Sequence, residues 1–142
     1  MSNKAEGMEL VLREKGVRIT PQRMEILRAV AICGSHPNAD AIYQRVSETQ
    51  PQISRDTVYR TLAFFEEKGI IGAVLFVGNS KRYDPNTETH HHLICIRCRK
   101  IIDFTSPPFD RLDPPPFTSE NFDVLRTTVN VEGICEKCRG RT

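Results

Sequence analysis

The stretch "HPNADAIYQRVSETQPQISRDTVYRTLAFFEEKG", residues 36–69, carries the pattern of two helices separated by a turn. Asn38 offers a side-chain oxygen to cap a helix N-terminus, and Ala39, Ile42, Tyr43 and Val46 follow as its apolar face. Pro51 disfavours the α region at Gln50, so this helix cannot run through "TQPQI". Ser54 caps a second helix with a buried stripe of Val58, Leu62 and Phe65, and Gly69 closes it. Directly after it, "IIGAVLFVGNSKRYD" (70–84) reads as two β-leaning stretches joined by a Gly-Asn-Ser turn, a hairpin. A helix-turn-helix followed by a hairpin is a winged helix.

Working outward, "MELVLREKGVRITPQRMEILRAVAIC" (8–33) reads as a helix stopped by Gly16 and a second helix. The second has Thr20 as N-cap, Pro21 at its first position, and Met24, Leu27, Val30 and Ala31 on its buried face. Beyond the hairpin the chain changes character. "PNTETHHHLICIRCRKIIDF" (85–104) has short strand signals, a histidine cluster and a cysteine pair. Five of the nine prolines fall in 105–122, which leaves room for a loop with at most a turn or two of helix. "FDVLRTTVNV" (122–131) places Leu125, Thr127, Val129 and Val131 on one side, as a half-buried strand would. The fold class expected is α+β: a winged-helix domain over 1–84, a hinge over 85–92 and a small domain over 93–142.

Length permits this division, since 142 residues make one ordinary domain or two small ones, each needing help to build a core. The net charge of +2 does not announce nucleic acid, although residues 1–84 hold 12 Lys and Arg against 10 Asp and Glu, and the remainder 8 against 8. Nothing near Met1 resembles a secretion leader and no apolar run reaches membrane length, so a cytoplasmic protein with no membrane partner is expected.

The sharpest chemical signal is Cys95-x-x-Cys98 with Cys135-x-x-Cys138. Two such knuckles satisfy the tetrahedral preference of Zn2+, and a closed four-thiolate site is structural because it leaves no open position. Redox centres or ordinary buried cysteines are the competing readings. Cys33, left over, reads as a small core residue.

A second constellation is His36, Asp84, His90, His92 and Asp103. His90 and His92 stand two apart, so on a strand both rings point to one face, and His91 points to the other. Asp103 interrupts the apolar "KIIDF", a costly place for a carboxylate unless it is paired or metal-bound. Three imidazoles and two carboxylates would give five ligands and neutralise a divalent ion, which suits Fe2+ or Mn2+. Taken singly, each could be structural: Asp84 could cap a turn before Pro85, and His36 could begin a helix. Because His36 comes from the first domain and most of the others from the hinge and beyond, one ion would tie the two bodies together and link metal to DNA affinity.

On the helix begun by Ser54, Arg55, Thr57, Tyr59 and Arg60 lie off the apolar stripe and are the candidates for reading DNA. Arg18, Arg23, Lys81 and Arg82 are candidates for phosphate contacts. The plain alternative for each is a solvated charged face.

The segments "RITPQR", "HPNADAIYQRV", "SRDTVYRTLAFFEEKGI", "RYDPNTETHHHLICIRCRKIIDF" and "GICEKC", in this order and spacing, resemble the ferric uptake regulator family over nearly the whole chain. The resemblance implies a homodimeric winged-helix repressor bound to a palindromic double-stranded operator, with a C-terminal dimerisation domain. It also implies a structural zinc in the four cysteines and a regulatory metal on the five-residue constellation. The chain most resembles the peroxide-responsive members, which carry Asp where Asp103 stands, whereas iron-sensing members typically carry Glu. In them bound Fe2+ reacts with hydrogen peroxide and a ligand histidine is oxidised, at positions matching His36 and His90; with Mn2+ they repress but respond poorly. Two departures stand out: the Pro-rich 107–116 stretch replaces a usual dimerisation-domain helix, and "LRTTVNV" lacks the histidine of a further metal site.

Rival readings are an iron- or manganese-level sensor of the same family, a metalloenzyme and a zinc-ribbon adaptor. A metalloenzyme lacks a general base beside the ligands, and an adaptor leaves the helix-turn-helix idle, so no enzyme is expected.

Overall fold

In a computed structural model of the chain, the residues described are 2–33, 36–75, 81–115, 121–124 and 127–140. They form an α+β protein of two compact units, Met1–Thr87 and Glu88–Thr142. The segment 85–92, read as a hinge, is shared between them, and His91 and His92 already belong to a strand of the second unit.

The first unit is a winged helix of α1 (Ser2–Glu14), α2 (Pro21–Ile32), α3 (Ala39–Thr49), α4 (Arg55–Glu67), β1 (Gly72–Leu75) and β2 (Lys81–Asp84). The helix starts follow from caps: Thr20, Asn38 and Ser54 each accept a backbone N–H three residues on, at 3.2, 2.8 and 3.1 Å. Two helices end alike. Gly16 and Gly69 take φ of +69 and +72, and the residues after them reach back five positions, Val17 N–H to the Leu12 carbonyl and Ile70 N–H to that of Phe65, both at 2.8 Å. The apolar partners that flank these turns, Leu12 with Val17 and Phe65 with Ile70, all join the core.

That core is built from α2 (Met24, Ile26, Leu27, Ala29, Val30), α3 (Ile42, Val46) and α4 (Val58, Leu62, Phe65), with Ile53, Ile71 and Tyr83 closing it. Helix α2 is buried on more of its circumference than the stripe of Met24, Leu27, Val30 and Ala31 implied, because helices α1, α3 and α4 and strand β2 all pack on it. Helix α1 also starts earlier than the apolar pattern, since a nucleated helix propagates through weak formers such as Gly7. Strands β1 and β2 pair antiparallel, from Gly72 opposite Asp84 to Leu75 opposite Lys81. The Gly-Asn-Ser turn expected between them lies outside the described residues.

The second unit holds β3 (His91–Cys95), β4 (Ile101–Phe104), the single turn α5 (Pro107–Asp110), β5 (Asn130–Gly133) and the single turn α6 (Glu136–Arg139). The sheet order is β4-β3-β5, with β3 antiparallel to β4 and parallel to β5. The half-buried strand expected over 122–131 is corrected in extent: Thr127 and Val129 are half-buried with Thr128 exposed between them, but the strand begins only at Asn130, its four residues are exposed, and Leu125 lies outside the described residues. The physical reason is that β5 is an edge, and its neighbours Leu93 and Ile102, in register with Val131, are exposed too. Among the described residues this unit buries few hydrophobics: Ile94, Ile101, Cys95 and Cys138. Among the described residues no helix is long and apolar enough to cross a membrane.

Candidate metal centres and nucleic-acid surface

The two knuckles converge. Cys95 ends β3 and Cys98 lies in the turn to β4, while Cys135 caps the one-turn helix that carries Cys138. Sulfurs of Cys98 and Cys135 are 3.7 Å apart, and the four sulfurs all lie within 4.8 Å of one another. Tetrahedral zinc with Zn–S bonds of about 2.3 Å would set its sulfurs about 3.8 Å apart. A disulfide needs about 2.05 Å, and the cysteines are free. The donor set and spacing therefore fit Zn2+.

The backbone prepares the site. The Cys135 N–H donates to Cys95 Sγ at 3.3 Å. This bond, with those from Cys98 and Arg97, holds the Cys95 thiol well below its ordinary pKa, in the thiolate form a metal takes. Cys138 is pushed the opposite way by its thiol neighbours and by burial, since adjacent thiols without a cation cannot all ionise. Arg97 Nη1 donates to the Cys138 carbonyl at 3.1 Å and ties one knuckle to the other. Arg99, just past Cys98, is held at φ +66, a left-handed conformation usually left to glycine.

The second constellation appears as two half-sites, one in each unit. In the first unit His36 Nε2 lies 3.3 Å from Asp84 Oδ2, and both residues are buried. His36 sits at φ +56. Its backbone is held by the wing: Arg82 Nε donates to the His36 carbonyl, the Tyr83 N–H to the Pro37 carbonyl at 2.8 Å, and Asn38 bridges Arg82. Asp84 also accepts from the Asn86 N–H at 2.9 Å, so one carboxylate oxygen faces the imidazole while the other fixes the turn.

In the second unit His92 stands opposite Asp103 in the β3–β4 register, with Nε2 3.5 Å from Asp103 Oδ1. His90 shares that face: its Nε2 is 3.8 Å from the same oxygen, and its ring is 4.7 Å from that of His92. The Nδ1 atoms are held from behind, by the Glu88 carbonyl at 2.6 Å for His90 and by Asn130 Oδ1 at 3.3 Å for His92. Imidazoles held through Nδ1 present Nε2 as the ligand atom. The expected burial cost at Asp103 is smaller than the sequence implied, because β4 is an edge strand and the side chain is 37% exposed.

His91 faces the other way and is fully buried. Its Nδ1 accepts the Val129 N–H at 3.0 Å, so Nε2 carries the proton and donates to Asp110 at 2.6 Å. Phe104 and Phe109 pack on the ring. It is a strut between β3, α5 and the approach to β5, a role the sequence did not disclose. Cys33 is only partly buried, with Sγ 3.8 Å from the Ala41 carbonyl, and lies outside the core cluster, which corrects its reading as a core residue: it follows the last residue of α2, where the chain leaves the packed helix.

On α4, Arg55, Tyr59 and Arg60 are exposed and Thr57 is half-buried. Thr57 and Arg60 line a shallow hollow with Arg23, Thr61 and Phe64. Arg23 lies over the Phe64 ring at 4.7 Å and donates to the Arg18 carbonyl at 2.8 Å. Arg60 pairs with Asp56 at 3.0 Å on the surface. Lys81 is bound to Glu66 at 2.9 Å and Arg82 to the His36 carbonyl, so both have structural partners within the first unit.

Sequence reasoning missed Asp40. Its Oδ1 accepts the Tyr59 hydroxyl at 2.5 Å and is ion-paired with Arg55 Nη1, which also donates to Tyr59 at 3.2 Å. The Tyr59 bond first, and Arg55 after it, hold the Asp40 carboxyl below its ordinary range. The signal was available: α4 residues four apart face the N-terminal turn of α3 across a helix-turn-helix, where a carboxylate also suits the helix dipole.

Residues 14–132 match the model of the ferric uptake regulator family. The chain is 41% identical over 128 residues to a peroxide-responsive repressor of Staphylococcus epidermidis, covering 90% of this chain and 85% of that one. Among solved structures it is similar to a ferric uptake regulator from Francisella tularensis solved with iron, at 28% identity and a TM-score of 0.70, covering 87% and 96% of the two chains. The same fold is shown by a zinc uptake regulator solved with zinc and DNA, at 23% identity and a TM-score of 0.73, covering 97% and 94%.

Proposed function

The chain belongs to the ferric uptake regulator family, and from that premise we propose that it is a cytoplasmic, homodimeric repressor that binds a palindromic operator when metal-loaded and releases it on exposure to hydrogen peroxide. The four cysteines hold a structural zinc. His36, Asp84, His90, His92 and Asp103 hold one regulatory ion, Fe2+ or Mn2+, drawing ligands from both units. Each half-site already presents imidazole Nε2 and carboxylate oxygen within 3.8 Å of each other, which supports the assignment.

The observation that carries the peroxide reading is Asp103, in register with His92, at the position where the resemblance associates Asp with peroxide sensing. The likeness to a peroxide-responsive repressor supports it. Bound Fe2+ would supply the electron that activates the peroxide. His36 and His90 are the side chains on which the oxygen would be taken up. An oxidised imidazole is a poor ligand, so the two units lose their common tie and the DNA-competent arrangement with it.

α4 would enter the major groove, with Arg55, Thr57, Tyr59 and Arg60 as base readers and Arg18 and Arg23 on phosphates. Lys81 and Arg82 would reach phosphate only by giving up Glu66 and the His36 carbonyl. The homodimer is supported by the exposed apolar stripe of Ile102, Leu93 and Val131, aligned across all three strands of the second unit.

A second reading, release by loss of iron without oxidation, is favoured by the likeness to an iron-loaded ferric uptake regulator. Peptide mass spectrometry separates the two. Fe2+-loaded protein briefly exposed to hydrogen peroxide should gain one oxygen on His36 or His90, and Mn2+-loaded protein should not. Unmodified histidines in the iron sample, with DNA release on chelation alone, would replace peroxide sensing by metal-level sensing.

A further inference from the structure

Four side chains from two helices form a cluster on the exposed side of the helix-turn-helix. Asp40, in the first turn of α3, pairs with Arg55 and accepts from Tyr59, both on α4. The Arg55 guanidinium also lies 4.5 Å from the centroid of the Tyr43 ring and 6.0 Å from that of Tyr59. The ion pair is at the surface, with the Asp40 and Arg55 side chains 63% and 50% exposed, while Tyr43 is half-buried against the core.

The cluster is not needed to hold α3 against α4. Ile42, Val46, Val58 and Leu62 make that contact with no exposed surface at all, and exposed ion pairs add little to stability. A carboxylate on a face that meets a polyanion is moreover unfavourable, unless its charge is already matched.

We infer that Asp40 is a positioning residue for DNA reading, which holds Arg55 and Tyr59 as one preset reading edge. The inference rests on the DNA-binding reading above. Free arginine has wide rotamer freedom, and freezing it on contact with DNA weakens binding. Here the ion pair and the ring stacking fix the guanidinium beforehand. Nη1 is engaged by Asp40 and Tyr59, while a guanidinium anchored there still carries the Nε–H and Nη2–H pair that a guanine O6/N7 edge accepts. Asp40 touches no base itself.

The test is selection from a pool of randomised duplexes by the full-length, zinc- and Mn2+-loaded protein, run in parallel for wild type, Asp40→Ala, Asp40→Asn and Tyr59→Phe. Thermal unfolding and salt-dependent binding to a non-cognate duplex are measured alongside. Wild type should return a motif. Asp40→Ala should return the same motif with about tenfold weaker discrimination at the base pairs read by Arg55 and Tyr59. Its binding to non-cognate DNA should be equal or tighter, because a negative charge has left the surface. Asp40→Asn keeps an acceptor oxygen and should recover part of the discrimination; Tyr59→Phe should lose part of it. Undiminished discrimination by Asp40→Ala overturns the inference, as does a proportional loss on cognate and non-cognate DNA. If wild type returns no motif, the DNA-binding reading fails and the inference with it.

Discussion

Removing the zinc should unfold the second unit and leave the first intact. The second unit runs from Glu88 to Thr142, about 55 residues; at about 0.05–0.15 kcal/mol per residue, a domain of that size would have about 3–8 kcal/mol of stability. Even this is generous, because the buried hydrophobics described in it are Ile94, Ile101 and two of the zinc cysteines themselves. Apparent zinc-binding energies for four-ligand structural sites are about 10–16 kcal/mol at neutral pH, more than the whole stability of the unit. Without the ion the balance falls below zero. The chain supplies its own reporters: it has no Trp, and its three tyrosines, Tyr43, Tyr59 and Tyr83, all lie in the first unit. With a strong chelator, tyrosine emission should show a thermal transition within a few degrees of that of the untreated protein, while amide signals from β3–β5 collapse to random-coil shifts. Native dispersion of the β3–β5 signals in zinc-free protein would refute the reasoning, and so would loss of the tyrosine transition.

Other expectations are smaller in scale. Arg99→Gly should raise the urea midpoint of the zinc-loaded second unit, because relief of about 1–2 kcal/mol of left-handed strain exceeds the added freedom of the unfolded chain, about 0.4–1 kcal/mol; a lowered midpoint contradicts it. Ser54→Ala, which removes the cap on the Thr57 N–H, should cost about 1 kcal/mol of first-unit stability by denaturant titration. The Asp40 carboxyl is held below its unfolded value, so the folded state favours its charged form. Its contribution is present above the unfolded pKa of about 3.9 and fades as pH falls through the native value; Asp40→Asn should flatten the acid limb of the first unit's stability profile. Asp103→Ala should weaken Mn2+ binding by calorimetry at least tenfold and leave the zinc content of the protein unchanged.

What could be read from sequence was whatever local chemistry decides. Thr20, Asn38, Ser54, Gly16 and Gly69 mark their own helix ends, and the apolar stripes of α3 and α4 point inward as their spacing requires. The paired CxxC motifs were legible for the same reason, since each knuckle is local and only their meeting is not. β5 was misread because alternation says that a face is apolar and not which surface covers it: Val131 aligns with Leu93 in an exposed stripe. His91 was equally opaque. A histidine between two proposed ligands gives no sign, in sequence, that Asp110 and the Val129 amide will meet it from distant segments.

The two cysteine knuckles differ in how soon they can exist. Cys95 and Cys98 sit on the hairpin of β3 and β4, consecutive strands that close quickly, whereas Cys135 and Cys138 arrive only after a long Pro-rich connection and a parallel pairing of β5 with β3. Parallel pairing across such a distance is slow because the loop must close before any contact rewards it. A refolding chain therefore offers zinc two separate dithiolate claws before it offers one tetrahedral cage. Refolding yield should pass through a maximum near one zinc per chain. Beyond that ratio each claw fills with its own ion, and ions shared between claws of different chains link them into aggregates, so the metal that completes this domain is, in excess, an obstacle to its assembly.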